Sequence, residues 1–255
     1  MTTARGLRVV VTGAGGGIGA AACEALRGAG ASVVGIDLRP PTGDVIAGDV
    51  RDERSMRAAI DEASRRLGAI DVLVNNAGIG TVQDAGQMPD AAARATLEVN
   101  LIGAWVTTAA AMPHLLATRG HVVNVASGLA LATVPFTAAY AASKRALTAY
   151  SDTLRFEYRG RVTVTTVNPG YIRTAIHSGP AAQGASLDGV VNEDSVAQAA
   201  AAIVRACVRR PRETSTSATT AAGLFMARHF PRIVDAFLRR RARGVAVGLR
   251  PVVEP

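Results

Sequence analysis

The chain alternates between two kinds of segment. Short β-branched and other apolar runs at 7–12, 32–37, 44–47, 70–75, 121–126 and 161–167 read as strands, and Ala-rich stretches of helical length fill most of the gaps. Such runs separated by helices are the pattern of βαβ units, in which a parallel sheet is covered on both faces. The pattern predicts an α/β fold. No internal repeat or Pro/Ser-rich linker interrupts it before about residue 210, so one domain is expected over 1–220. Its last strand is expected at 213–219, weakly marked because it is built of Thr and Ser. Residues 221–255 then read as an extension. It has two helical stretches, 221–230 and 232–243, separated by Pro231, with Phe225, Phe230, Ile233, Val234, Phe237 and Leu238 at amphipathic spacing.

Composition narrows the class. With 49% hydrophobic and 19% charged residues, the chain has material for a packed core and is unlike a disordered one. Cys23 and Cys207 stand far apart without ligand spacing, so neither a disulfide framework nor a zinc site is expected, and no metal site is assigned. The first six residues run into a strand without the apolar region of a signal peptide. No uninterrupted apolar stretch reaches the roughly 18 residues of a spanning helix. A cytoplasmic protein is expected. The net charge of +8 raises nucleic acid as a partner, but eleven arginines fall in the last fifth of the chain and the rest is nearly balanced. No nucleic-acid-binding motif accompanies them, so no nucleic-acid partner is expected.

Candidate chemistry gathers at the strand ends. After the first strand comes Thr12-Gly13-Ala14-Gly15-Gly16-Gly17-Ile18-Gly19, leading into a helix at 20–27. A glycine turn between a strand and a helix lets the backbone approach a pyrophosphate at the helix N-terminus. The Gly-Lys-Ser/Thr ending of a nucleoside-triphosphate loop is missing. Asp37 ends the second strand, where a carboxylate can accept both hydroxyls of an adenosine ribose and repel a 2′-phosphate. This favours NAD over NADP, with Arg39 as the residue that tempers the preference. A helix or turn cap is the alternative role for Asp37. Asp49 and Val50, beyond the third strand, suit either an adenine contact or the cap of a helix over Glu53–Leu67. Asn75-Asn76-Ala77-Gly78 reads as a turn or as a loop against a cofactor. Asn100 stands among apolar neighbours in an apparent helix over 91–112, where a buried amide must find partners. Ser127 ends the fifth strand.

Tyr140-x-x-x-Lys144 adds a compositional fact: Lys144 is the chain's only lysine against 27 arginines. On a helix these positions share a face, so an ammonium can approach a phenol.

Taken together, Thr12-Gly13-x-x-x-Gly17-Ile18-Gly19, Asn75-Asn76-Ala77-Gly78, Asn100, Ser127, Tyr140-x-x-x-Lys144 and Asn168-Pro169-Gly170 resemble the short-chain dehydrogenase/reductase family over about 7–210. The resemblance implies a Rossmann-type doubly wound sheet of about seven parallel strands. It also implies a nicotinamide at the carboxyl edge and a homodimer or homotetramer built through the long helices. By resemblance Tyr140 is the general acid/base and Ser127 holds the substrate oxygen. Lys144 lowers the phenol's pKa and holds the nicotinamide ribose, and Asn100 positions a water. The implied cofactor-binding set is Gly13, Gly17, Ile18, Gly19, Asp37, Asp49, Val50, Asn76, Ala77, Gly78, Tyr140, Lys144, Pro169, Gly170, Ile172 and Thr174.

The expected activity is hydride transfer between NAD and a secondary alcohol or ketone. An apolar substrate, steroid- or terpenoid-like, is expected from Leu129, Leu131, Val134 and Phe136 in the segment 128–136. Residues 175–192 have lid composition. The alternative is a non-catalytic dinucleotide sensor or scaffold, for which an eroded site would be expected. The Arg-rich extension admits three readings: a helix over the cleft or subunit edge, a peripheral membrane contact, or a docking element for another protein.

Overall fold

The computed structural model describes residues 3–41, 43–132, 134–173 and 193–242. Thr174, the 175–192 segment, Arg243 and Arg250 lie outside them. Seven strands form one parallel sheet: β1 Arg8–Thr12, β2 Ser32–Asp37, β3 Val45–Ala47, β4 Val72–Asn75, β5 His121–Val125, β6 Thr163–Asn168 and β7 Glu213–Ser215. Their order is β3-β2-β1-β4-β5-β6-β7. The described helices are α1 Gly17–Gly28, α2 Glu53–Leu67, α3 Ala91–Leu97, α4 Ala104–Thr118, α5 Ala138–Glu157, α6 Val196–Arg209, α7 Ala218–His229 and α8 Pro231–Ala242.

The two-residue period of a strand sorts the valines into two cores. Val9, Val11, Val72, Val74, Val123 and Val125 pack with Ala22, Cys23 and Leu26 of α1 and with Ile203, Ala206 and Cys207 of α6. Val10, Leu73, Val122 and Val164 face the other way, onto Met56 and Ile60 of α2, Ala111 and Leu115 of α4 and Leu154 of α5. Both faces are thereby dry, as the apolar runs predict. The chain winds outward from β1 in one direction and from β4 in the other. The β1/β4 boundary is therefore the switch point, where the carboxyl ends of such sheets open a crevice.

Local signals explain several boundaries. The Asp52 side chain accepts from Ser55 N (2.7 Å) to start α2, and Gly68, at φ 81°, ends it. A reciprocal Ser195/Gln198 capping box starts α6. Three expectations are revised. The final strand stops at Ser215 rather than 219, because Ser217 caps α7 by accepting from Thr220 N (3.1 Å) and so withdraws the Ser/Thr run from the sheet. The 220/221 boundary falls inside α7. The apparent helix around Asn100 is broken by a π-helical segment, Glu98–Gly103. The run Ala91–Thr118 contains an 18-residue window of mean hydropathy 1.3, long and apolar enough by composition to cross a membrane. In the fold its α4 portion packs Ala111 and Leu115 into the core beneath the sheet.

Candidate active site

At the carboxyl edge the glycine turn is sterically obligatory. Gly13 sits at φ 68°, and a Cβ on Gly19 would lie 2.0 Å from Gly13 O, so no side chain fits where α1 meets the turn. The N-cap of α1 is Gly16, with no side-chain cap, and the first turn carries no acid. The free N–H groups and positive end of α1 are thus open to an anion. Together with the cradle that side chains would fill, this suits a dinucleotide pyrophosphate.

Neighbouring loops are stitched to that turn. Thr12 Oγ1 accepts from Asn76 N and Ala77 N, both at 3.1 Å, and Asn76 Nδ2 donates to Thr12 O (3.0 Å). Asn75 turns the other way, donating to Thr108 Oγ1 and Asn124 Oδ1 (2.8 Å each) beneath the sheet. The first amide of the motif is structural and the second shapes the crevice. Asp37 accepts from Gly15 N (2.8 Å) and Arg39 N (2.9 Å), which fixes its carboxylate beside the turn.

A cavity of about 730 Å³ runs along this edge. Of the expected residues, Gly13, Gly17, Ile18, Asp37, Asn76, Ala77, Gly78, Ser127, Tyr140, Lys144, Pro169, Gly170 and Ile172 line it. Gly19, Asp49, Val50 and Asn100 are not among its lining residues. Asp49 is held by Arg51, whose backbone N (3.0 Å) and guanidinium (2.7 Å) both donate to it. That pairing holds its carboxyl below the ordinary range, against the upward push of partial burial. Val50 is buried against Gly103, where a Cβ would meet it at 2.6 Å. The cap of α2 is Asp52, not Asp49.

Asn100 acts from behind the lining. Its Oδ1 accepts from Ile79 N (2.8 Å), and its Nδ2 donates to Ile79 O (2.9 Å) and Ser143 Oγ (3.0 Å). A wider π turn is the local price of aiming this amide sideways out of a helix. Through it the Gly78–Ile79 loop is pinned to α5.

Lys144, 4% exposed, donates from Nζ to Val125 O (2.9 Å) and lies 5.9 Å from the Tyr140 ring centroid. Burial pushes its pKa down to about 8, so the ammonium remains the main form at neutral pH. Burial pushes the Tyr140 phenol up, while a hydrogen bond from Ser127 pulls the other way. Ser127 also N-caps the 3₁₀ turn Gly128–Ala130, accepting from Leu129 N (3.2 Å).

Sequence reasoning missed the structure around Asp194. This carboxylate, 4% exposed, accepts from the hydroxyls of Thr216 and Thr220 (2.7 Å for Thr220), and Gly170 N donates to Thr216 Oγ1 (3.1 Å). It joins the loop after β6 to the start of α7. Its only sequence signal is its place just ahead of the Ser195 cap. Of the four apolar residues expected to line the cavity, Leu129 and Val134 do so, whereas Leu131 and Phe136 do not. Instead Phe136 adopts a left-handed conformation, φ 61°, and accepts from Gln83 N at its carbonyl (2.9 Å). Arg145 holds the Ser127 turn by donating to Ala130 O (2.7 Å).

Comparison with known proteins agrees with this geometry. A family model described as short chain dehydrogenase matches residues 8–183. L-fucose dehydrogenase of Mus musculus is 33% identical over 213 residues, covering 78% of this chain and 77% of that one. 11-beta-hydroxysteroid dehydrogenase 1A of Arabidopsis thaliana is 32% identical over 202 residues, covering 73% of this chain but 58% of the longer relative. Among solved structures, a gluconate 5-dehydrogenase from Burkholderia cenocepacia in complex with NADP and tartrate superposes with TM-score 0.78 at 26% identity, covering 87% of this chain and 97% of that one. With a crevice of about 730 Å³ at the carboxyl edge of the sheet and Ser127, Tyr140 and Lys144 lining it, this chain belongs to the short-chain dehydrogenase family of oxidoreductases.

Proposed function

We propose that the chain is an NAD-dependent dehydrogenase or carbonyl reductase acting on a secondary alcohol or ketone with a bulky apolar body. The observation that carries this reading is the convergence of Ser127, Tyr140 and Lys144 on the cavity that the glycine turn and Asp37 also line. An intact set of this kind disfavours a non-catalytic sensor. The glycine turn, Asp37 and Lys144 would hold a nicotinamide dinucleotide, which would supply the hydride acceptor or donor.

The chain's own residues handle the proton. Ser127 Oγ holds the substrate oxygen, and Tyr140 Oη takes the hydroxyl proton in oxidation or returns it in reduction. Moving a phenol from near 10 to near 7 takes about 4 kcal/mol of differential stabilisation. Burial of Tyr140 adds to that requirement, the Ser127 hydrogen bond offsets part of it, and the remaining lowering is assigned in this proposal to the Lys144 ammonium, 5.9 Å from the ring centroid. Apolar specificity is supported by Leu129, Val134, Leu224 and Met226 on the cavity wall. The NAD preference is supported by Asp37, fixed at the end of β2 where a 2′-phosphate would meet its charge. The B. cenocepacia structure holds NADP, so this preference rests on Asp37 alone.

A homo-oligomer fits the exposed Ile102, Trp105 and Leu116 on the helical run carrying Asn100, with Phe156 on α5. Trp105 stacks on Tyr150 across the two helices (5.0 Å between rings), and light scattering in solution tests the assembly. Function is tested by following reduced-cofactor absorbance over steroids, terpenoid alcohols, aliphatic alcohols and sugars with NAD and NADP. Turnover of apolar secondary alcohols with NAD is expected. Turnover confined to sugars or to NADP contradicts the reading. Asp37→Ser is expected to erode discrimination against NADP.

A further inference from the structure

The last two described helices present apolar side chains outward. Phe225 (59% exposed), Phe230 (47%) and Ile233 (61%) stand in water on α7, α8 and the bend between them. The same helices carry exposed Arg232, Arg239 and Arg240, with Asp235 as the one acid of α8. Among the described residues Arg228 is paired with Glu213 (3.1 Å), whereas no acidic partner is seen for the other three. From residue 218 onward the sequence holds seven arginines against Asp235 and Glu254.

The inner side of this ridge is the active-site cavity. Met226 and Ile233 line it and are also exposed, so they stand at its mouth, whereas Leu238 on the same helix is buried. The mouth therefore opens within the apolar, arginine-edged ridge. From this arrangement we infer that α7 and α8 form a docking surface for an anionic lipid bilayer, with the cavity mouth turned toward the lipid.

Charge selects this occupant. A second copy docking through the same patch would bring two arginine-rich surfaces together, each carrying Arg232, Arg239 and Arg240 against the single acid Asp235, since a two-fold contact pairs a patch with itself. A bilayer accepts scattered aromatic and aliphatic side chains without shape matching, and its anionic headgroups complement a flanking row of arginines. A cytoplasmic protein would meet such a surface on the anionic inner leaflet. The delivery of an apolar substrate to the mouth rests on the function proposed above, but the docking does not.

The test is co-sedimentation of the full chain with phosphatidylcholine vesicles and with vesicles in which one lipid in three is phosphatidylglycerol. Sedimentation with the anionic vesicles is expected, about tenfold weaker with the neutral ones and weakened by salt. Arg239→Glu/Arg240→Glu, both exposed, is expected to remove the anionic preference, and Phe230→Glu/Ile233→Glu to lower binding to both vesicles about tenfold. Circular dichroism reports whether each variant is folded, and the arginine pair decides the matter if the apolar pair is not. Equal sedimentation with both vesicles, none with either, unchanged binding of the folded arginine variant, or capture by polyglutamate without vesicle binding overturns the inference. A chain that oxidises alcohols yet never sediments overturns the docking alone, and one that sediments without turnover overturns the function alone.

Discussion

The floor and the roof of the cavity are built on opposite principles. On the floor, polar groups are buried and each has a named partner: Asn100 on Ile79 and Ser143, Lys144 on Val125, Asp194 on Thr216 and Thr220. On the roof, apolar groups are exposed, with Phe225, Phe230 and Ile233 in water. Burying hydrogen-bonded polar groups fixes their geometry, which suits proton transfer. Leaving apolar groups in water costs stability without fixing geometry, which suits a surface awaiting a partner or substrate. The difference teaches that the floor has its polar groups fixed by hydrogen bonds while the roof leaves apolar groups exposed, and the proposed function puts the proton transfer on the first and substrate selection on the second.

The largest effect expected in breaking this contrast comes from Lys144. Its folded pKa is about 8 against an ordinary 10.5, so the unfolded chain binds the extra proton between those values and stability rises with pH across that window. Below pH 8 the full cost of burying the ammonium is present. Lys144→Met should therefore abolish turnover while stabilising the fold at pH 7 by about 2 kcal/mol, allowing for the lost bond to Val125 O. Denaturant unfolding at pH 7 and near pH 10 checks this, with the gain shrinking at the higher pH. A less stable Met variant at pH 7 would mean that the floor is not strained for function.

A smaller effect is expected at Asp194, where floor meets roof. Burial pushes this carboxyl up, but hydrogen bonds from Thr216, Thr220 and Ser217 outweigh it and hold the pKa below 3.8. Such a group stabilises above its unfolded pKa, and the contribution fades as pH falls through the folded value. Asp194→Asn should cost about 1–2 kcal/mol at pH 7, a difference that vanishes in strong acid, and should raise KM more than it lowers kcat. Equal loss in kcat alone would place Asp194 in the chemistry instead.

The smallest effect belongs to Phe136. A bulky residue at φ 61° carries about 1 kcal/mol of backbone strain that glycine does not. Phe136→Gly and Phe136→Ala lose the same ring, so the glycine variant should be the more stable of the two by about 1 kcal/mol in thermal unfolding. The reverse order would show that the left-handed backbone relaxes on substitution.

What the sequence reveals follows the same divide. The bounds Ser32–Asp37 and Glu53–Leu67 are readable to the residue, because the β-branched run and the helical stretch are local, although the cap of the helix is Asp52 rather than the expected Asp49. The glycine turn and the Tyr140/Lys144 pair are readable because each needs a residue type that few other environments demand. The π turn at Glu98–Gly103 is not, since it arises from Asn100 reaching a loop twenty-one residues away in sequence. Asp194 is hidden for a like reason: beside Ser195 it looks like a helix-entry residue, and only the fold brings Thr216 and Thr220 to it. The Arg51 partner of Asp49 is likewise not marked by order along the chain, where Asp49 reads as an adenine contact or a helix cap; in space the two are an ion pair at 2.7 Å.

The central claim is that Tyr140 moves the proton on the floor of this cavity. The direct measurement is single-turnover oxidation of an active alcohol by Tyr140→Phe, paired with titration of reduced cofactor by fluorescence. Chemistry is expected to slow by about a thousandfold, in the range of general acid–base contributions, with cofactor affinity changed less than about threefold. A Phe variant that retains most of its single-turnover rate would contradict the assignment.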